Sequence, residues 1–148
     1  SVRNDTSKVY RTKAGKKVYG GGGITPDYFI ALDTSGFSIN SANLYSKGTI
    51  GNFAYNFYLQ NIAVLKNFKT PADYINGFSF TEDNWKQFEV SAAKDSITCS
   101  SISAKEKAEL INRIRSSIAR QLCRNEGYYE TLNTNDDAVK KALELFAK

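Results

Sequence analysis

The spacing of apolar residues changes once along this chain. Up to about residue 36 they come in short strand-like runs, and beyond it they recur every three or four residues, as in helices. Residues 8–12 and 17–20 read as two strands of a hairpin closed by Lys13-Ala14-Gly15. With Gly15 in the left-handed position of a three-residue loop, Val9 faces Tyr19 and Tyr10 faces Val18, both favourable cross-strand pairs. A short third strand is expected over residues 28–32. Asp33-Thr34-Ser35-Gly36 is a turn cluster, and the helical pattern begins after it.

A short helix is expected over Ile39–Ser46, and Gly48 and Gly51 frame the next, over 51–67. In that second helix Phe53, Phe57, Asn61, Val64 and Phe68 lie on one side. Ala54, Tyr58 and Leu65 widen the stripe, so the helix should be mostly buried. Thr70 and Pro71 open a short helix that stops at Gly77. Thr81 caps another, with Glu82 and Asp83 at its positive end, Phe80 packing on Trp85, and Trp85, Phe88 and Ala92 inside. Ser103 and Glu106 form a capping box for the clearest helix. Its inner face is Ala104, Ala108, Ile111, Ile114, Ile118 and Leu122, and Gly127 should end it by about residue 126. A last helix begins at Thr134-Asn135-Asp136-Asp137 and turns Val139, Ala142, Leu143 and Phe146 inward. The expected fold is mainly α (α+β): a hairpin or short strands over residues 1–36, then a bundle of about five helices over 37–148.

At 148 residues, with 41% hydrophobic and 13% aromatic residues, the chain can bury one sizeable core. No apolar run approaches the roughly twenty residues that a membrane-spanning helix needs. Ser1-Val2-Arg3-Asn4-Asp5 lacks both an initiator methionine and the apolar centre of a signal peptide, as expected of a segment cut from a longer chain. The net charge of +5 is spread among fifteen acids, and the densest basic cluster, Arg11 to Lys17, surrounds the hairpin turn, so nucleic acid is not an expected partner. The chain has no histidine, which excludes Ser-His-Asp and Cys-His catalysis and histidine metal sites; two cysteines are too few for a four-cysteine zinc centre.

Each remaining constellation has a plain structural explanation. Gly20-Gly21-Gly22-Gly23 is followed neither by Gly-Lys-Ser/Thr nor by a helix start, so it reads as a strand end or linker and not as a phosphate loop. Ser91-Ala92-Ala93-Lys94 matches Ser-x-x-Lys, but the companion Ser-Asp-Asn and Lys-Thr-Gly elements are missing. Arg113, Arg120 and Arg124 line one helix flank, with Glu109 four residues before Arg113 in the favourable ion-pair orientation. Cys123 should lie about 30 Å from Ser103 along an unbroken helix, whereas the chain from Ser103 back to Cys99 reaches only about 14 Å. Two unpaired thiols are therefore expected, with Cys123 in the core.

The run Tyr10 to Tyr19, leading through the glycines into Gly23-Ile24-Thr25-Pro26-Asp27, resembles the carboxyl-terminal-processing, or tail-specific, serine peptidases. There a tyrosine, a Ser/Ala-Gly-Lys/Arg turn and a glycine-rich stretch ending Gly-Ile-x-Pro-Asp come after the catalytic lysine. The positions carrying the likeness are Gly15, Gly20, Gly21, Gly22, Gly23, Ile24, Pro26 and Asp27, and Phe29 to Phe37 is similar to the version found in envelope peptidases of Bacteroides-like bacteria. The resemblance implies a parent that cleaves proteins recognised by their C-terminal tails, using a serine nucleophile and a lysine base carried upstream. Neither motif occurs here, and Ser46-Lys47-Gly48 is only a superficial echo of one. The resemblance therefore implies no catalytic, cofactor-binding or metal-ligating residue in this chain and no cofactor. It implies a periplasmic or envelope location, and as partners the upstream protease domain and the parent's protein substrates. A self-sufficient helical module holding a peptide or small ligand between aromatic-rich helices is the alternative from another class.

Overall fold

The computed structural model describes residues 8–20, 28–30 and 38–147. The chain divides into two compact units, Ser1–Asp33 and Thr34–Lys148.

The first unit holds an antiparallel hairpin of β1 (Val9–Arg11) and β2 (Lys17–Tyr19) in the expected register, Val9 opposite Tyr19 and Tyr10 opposite Val18. Gly15 has φ of 83° and donates its N–H to the Thr12 carbonyl at 2.9 Å, while the Thr12 N–H reaches the Lys16 carbonyl at 2.9 Å. That is a type I turn closed by a left-handed residue, which glycine adopts without steric cost. The Gly20 N–H closes the far end on the Lys8 carbonyl at 2.8 Å. These bonds make Lys8–Gly20 and Thr12–Lys16 hydrogen-bonded pairs. By the alternation of an antiparallel ladder, the backbone groups of Val9, Arg11, Lys17 and Tyr19 point away from the partner strand. Residues 28–30 are not in a strand, so the described part of the expected third strand is not formed. An apolar run supplies β propensity but not a ladder partner, and a strand needs both.

The second unit has seven helices among its described residues where about five were expected. They are α1 (Ile39–Ser46), α2 (Thr49–Gln60), α3 (Ile62–Leu65), α4 (Pro71–Gly77), α5 (Glu82–Lys94), α6 (Ala104–Asn133) and α7 (Asp137–Phe146). The expected helix over 51–67 starts earlier, behind left-handed Gly48, and breaks at Asn61, whose side chain donates to the Phe57 carbonyl at 2.9 Å. A carboxamide bonded to its own helix competes with the ladder. The break rotates the turn formed by α3: Leu65 is buried and Val64 is 64% exposed, against the expectation that Val64 faces inward. Thr70 and Thr81 cap α4 and α5 with complete capping boxes.

The core is built on α2. Phe53 meets Phe88 edge-on at 5.2 Å between ring centres, and Phe57 meets Phe78 at 6.1 Å. Phe80, expected against Trp85, sets its ring beside Phe53 and Phe57. From the other side α6 buries Leu110, Ile114, Ile118 and Ala119, and fully buried Tyr74 of α4 donates its hydroxyl to the Arg115 carbonyl at 2.9 Å. Ala104 and Ala108, expected inside, are exposed.

The helix expected to end by residue 126 runs to Asn133, but it is not straight. Cys123 and Arg124 leave helical geometry, Arg124 with φ 55° and ψ −143°. The Asn112 carboxamide donates to the Leu132 carbonyl at 3.0 Å, and Arg113 to the Tyr128 hydroxyl at 2.5 Å. Twenty residues of straight helix would span about 30 Å, so α6 is a hairpin of two arms, 104–122 and 125–133. Gly127 marks the crossing of the arms, not a helix end. A Cβ there would lie 2.7 Å from the Ala119 carbonyl oxygen and 2.8 Å from the Cys123 Cβ. In α7, Val139 and Ala142 are half-buried, but Leu143 and Phe146 are 63% and 88% exposed, correcting the expectation that all four face inward. Amphipathic spacing marks a face but not what covers it.

Gly127→Ala should destabilise the protein by about 1–3 kcal/mol, since the new methyl group meets backbone. Arg124→Gly should stabilise it by about 1 kcal/mol, because relief of a non-glycine outlier, roughly 1–3 kcal/mol, exceeds glycine's added unfolded-state entropy. Urea unfolding of both variants checks this, and an unchanged midpoint for Gly127→Ala would remove the close crossing.

Candidate functional site

The ends of the helices fix which surfaces lie together. At the start of α2 the Thr49 hydroxyl donates to the Asp95 carboxylate, just past α5, at 2.5 Å, and the Lys47 ammonium donates to the Asp95 carbonyl at 2.8 Å. At the opposite end Phe80, just before α5, meets Phe57. The two helices are therefore antiparallel. Between them runs a groove of about 350 Å³ with Phe53 and Phe57 in its floor, Asn56 and Gln60 on the α2 side, and Gln87, Val90, Ser91 and Lys94 on the α5 side. The Ser-x-x-Lys match thus lies on one wall of this groove.

A second anchor joins the starts of α1 and α6. The Glu106 carboxylate accepts from the Ser38 N–H at 2.6 Å, the Ser103 N–H at 2.9 Å, and the Ser41 and Ser103 hydroxyls at 2.9 Å each. These bonds, the Ser38 backbone N–H first and the Ser103 N–H next, favour the ionised form and hold the carboxyl well below the usual carboxylate range.

A larger cleft, about 630 Å³, opens where α6 reverses, lined by Thr70, Cys123, Arg124, Glu126 and Glu130 among others. Its charges are of both signs, and burial, then Glu126, raises the Cys123 thiol pKa, opposing thiolate chemistry. Cys123 is half-buried there, and Cys99 is the thiol in the core, reversing the expected placement. Both are free, as expected. The first arm of α6 is unbroken through Leu122, so the distance argument against a bridge holds.

Of the arginine flank, Arg113 bonds Tyr128 and lies over the Tyr45 ring, and Arg120 lies over Tyr128. These side chains pin the two arms and do not form a stripe with Arg124, which sits at the reversal. Gly15 and Gly20 are at the two ends of the hairpin, while Gly21, Gly22, Gly23, Ile24, Pro26 and Asp27 lie outside the described residues. Among the described residues no cluster of three or more acidic or cysteine groups could hold a metal, and no helix is long and apolar enough to cross a membrane. Asn56, Gln60 and Gln87 were not singled out from the sequence. The available signal was the carboxamide pair 56/60 running beside the aromatic pair 53/57 at the same four-residue spacing.

These features define a mainly helical protein with an aromatic-floored groove. The chain belongs to a family of unknown function (DUF8443), whose model matches residues 41–124, from α1 to the reversal of α6. No curated protein and no solved structure matches it.

The sign of the Glu106 contribution comes from its depressed pKa. Its stabilisation is fully present above the unfolded carboxyl value, about 4.3, and is lost as the pH falls toward the folded value. Glu106→Gln should lower the thermal midpoint at pH 7 and flatten the decline in stability below about pH 5. Parallel acid limbs for the variant and the parent protein would remove this role.

Proposed function

We propose that the chain is a non-catalytic part of a tail-specific serine endopeptidase. The hairpin belongs to the protease domain's sheet, and the helical unit packs on that domain or carries partner contacts. The observation behind this reading is the hairpin itself. Val9 and Tyr19 lie on one face and Tyr10 and Val18 on the other, and all four side chains are 39–56% exposed. A hairpin facing water would keep one face polar, and a two-stranded sheet alone is marginal. Burying the apolar area these side chains still expose is worth about 1 kcal/mol each, which favours a setting with strands beside the hairpin and layers on both faces. The resemblance around Gly15 and Gly20 supplies that setting.

The groove between α2 and α5 favours a second reading, in which the helical unit binds a peptide. Aromatic floor and carboxamide rim are the materials of such sites.

The test of the first reading is the reading frame extended upstream of Ser1. It should contain the serine and lysine motifs and cleave a protein with an unstructured apolar tail, while the 148-residue chain alone does not. A frame lacking both motifs would overturn the assignment.

A further inference from the structure

We infer that the outer face of α2 and α3 is a contact between two copies of this chain, each presenting the same face to the other. This goes beyond both readings above and rests on neither.

Three observations carry it. First, the face has no charge. Residues 34–65 hold one charged residue, Lys47, whereas 32 residues at the chain's 24% would hold about eight. Lys47 donates its ammonium to the Asp95 carbonyl at 2.8 Å, which ties it to the end of α5. The exposed sides of α5, α6 and α7 all carry both acids and bases. Depletion of charge beside exposed aromatic and aliphatic side chains is the compositional mark of a protein interface.

Second, the face is rich in apolar side chains. Tyr55, Leu59, Ile62 and Val64 are 43–64% exposed. Tyr55 and Leu59, four residues apart, form one ridge, and such ridges pack into the grooves of a like helix at a crossing angle of about 50°.

Third, the neighbouring ridge is Asn52, Asn56 and Gln60, spaced four apart and exposed. A carboxamide both donates and accepts, so this row can pair with a copy of itself and leave nothing unpaired. That decides the occupant. A charged protein surface would bury its charges here against no counter-charge, and a bilayer would strip the carboxamides of water without replacing their hydrogen bonds. The partner's face must be neutral and hold both donors and acceptors, and this chain supplies one. At about 18 Å in length, α2 offers less than the roughly 800 Å² per partner of a standard interface, so the dimer is a weak one. Two copies of net charge +5 repel each other at a distance, and salt screens that repulsion.

The test is analytical ultracentrifugation of the 148-residue chain from micromolar to near-millimolar concentration, at low and high salt. The mass should rise from monomer toward dimer, and added salt should tighten the dimer, the opposite of an interface held by ion pairs. Leu59→Asp and Leu59→Lys should each weaken it at least tenfold, and an equal mixture of the two should restore it, because opposite charges then meet across the seam. Leu59 is already about half exposed, so both variants should unfold close to the parent's temperature. Phe146→Asp, at the most exposed apolar side chain of α7, should leave the dimer unchanged. A dimer indifferent to both Leu59 variants, one lost instead with Phe146→Asp, or a mixture no tighter than either variant alone would overturn the inference. A monomer at every concentration would also overturn it, and co-sedimentation of that monomer with phosphatidylcholine vesicles would give the face to a bilayer instead.

Discussion

The helical unit depends on the aromatic packing of α2. Phe53 and Phe57, four residues apart, meet Phe78, Phe80 and Phe88 from the segment between α4 and α5 and from α5 itself. The edge-to-face pairs among them, Phe53 with Phe80 and Phe88 and Phe57 with Phe78, add about 0.5–1.5 kcal/mol each beyond their buried area. The same two rings form the floor of the groove, so its floor cannot shift without disturbing the core. A site built this way is preorganised by packing and needs no separate support.

Polar anchors outside that cluster set the angles at which the helices leave it. Glu106 gathers the starts of α1 and α6, Asp95 ties the α1–α2 turn to the end of α5, and Arg115 donates to the Ile75 and Phe78 carbonyls at the end of α4. Each anchor uses backbone groups that helix ends and loops would otherwise leave unpaired. Glu106 also closes the capping box of α6, so one side chain both starts a helix and places it against another.

What the sequence made legible was local. The hairpin register, the left-handed Gly15, the box at Ser103–Glu106 and the caps at Thr70 and Thr81 all depend on residues within a few positions of one another, where side-chain chemistry and backbone geometry act together. The break at Asn61, the reversal at Cys123–Arg124 and the open face of α7 were not legible. Asn61 has acceptable helix propensity and stops α2 by bonding to Phe57. Arg124 is a good helix former that nevertheless has φ of 55° at the reversal. For Gly127, a punctuating role and a packing role leave the same mark in a sequence. In the groove, Ser91 and Lys94 match a short motif, and the carboxamides beside them carry no motif at all.

The crossing at Gly127 sets the alignment of the two arms of α6 as a notch sets a ratchet. Where one helix ratchets past another, the step is a whole turn, about 5.4 Å. Here the residue one turn further along the second arm is Thr131, which carries a Cβ. Brought to the crossing it would collide with the Ala119 carbonyl, and the Asn112–Leu132 bond would part in the same step. The seam thus has one seat, and α7 and the loop leading to it start from a fixed point.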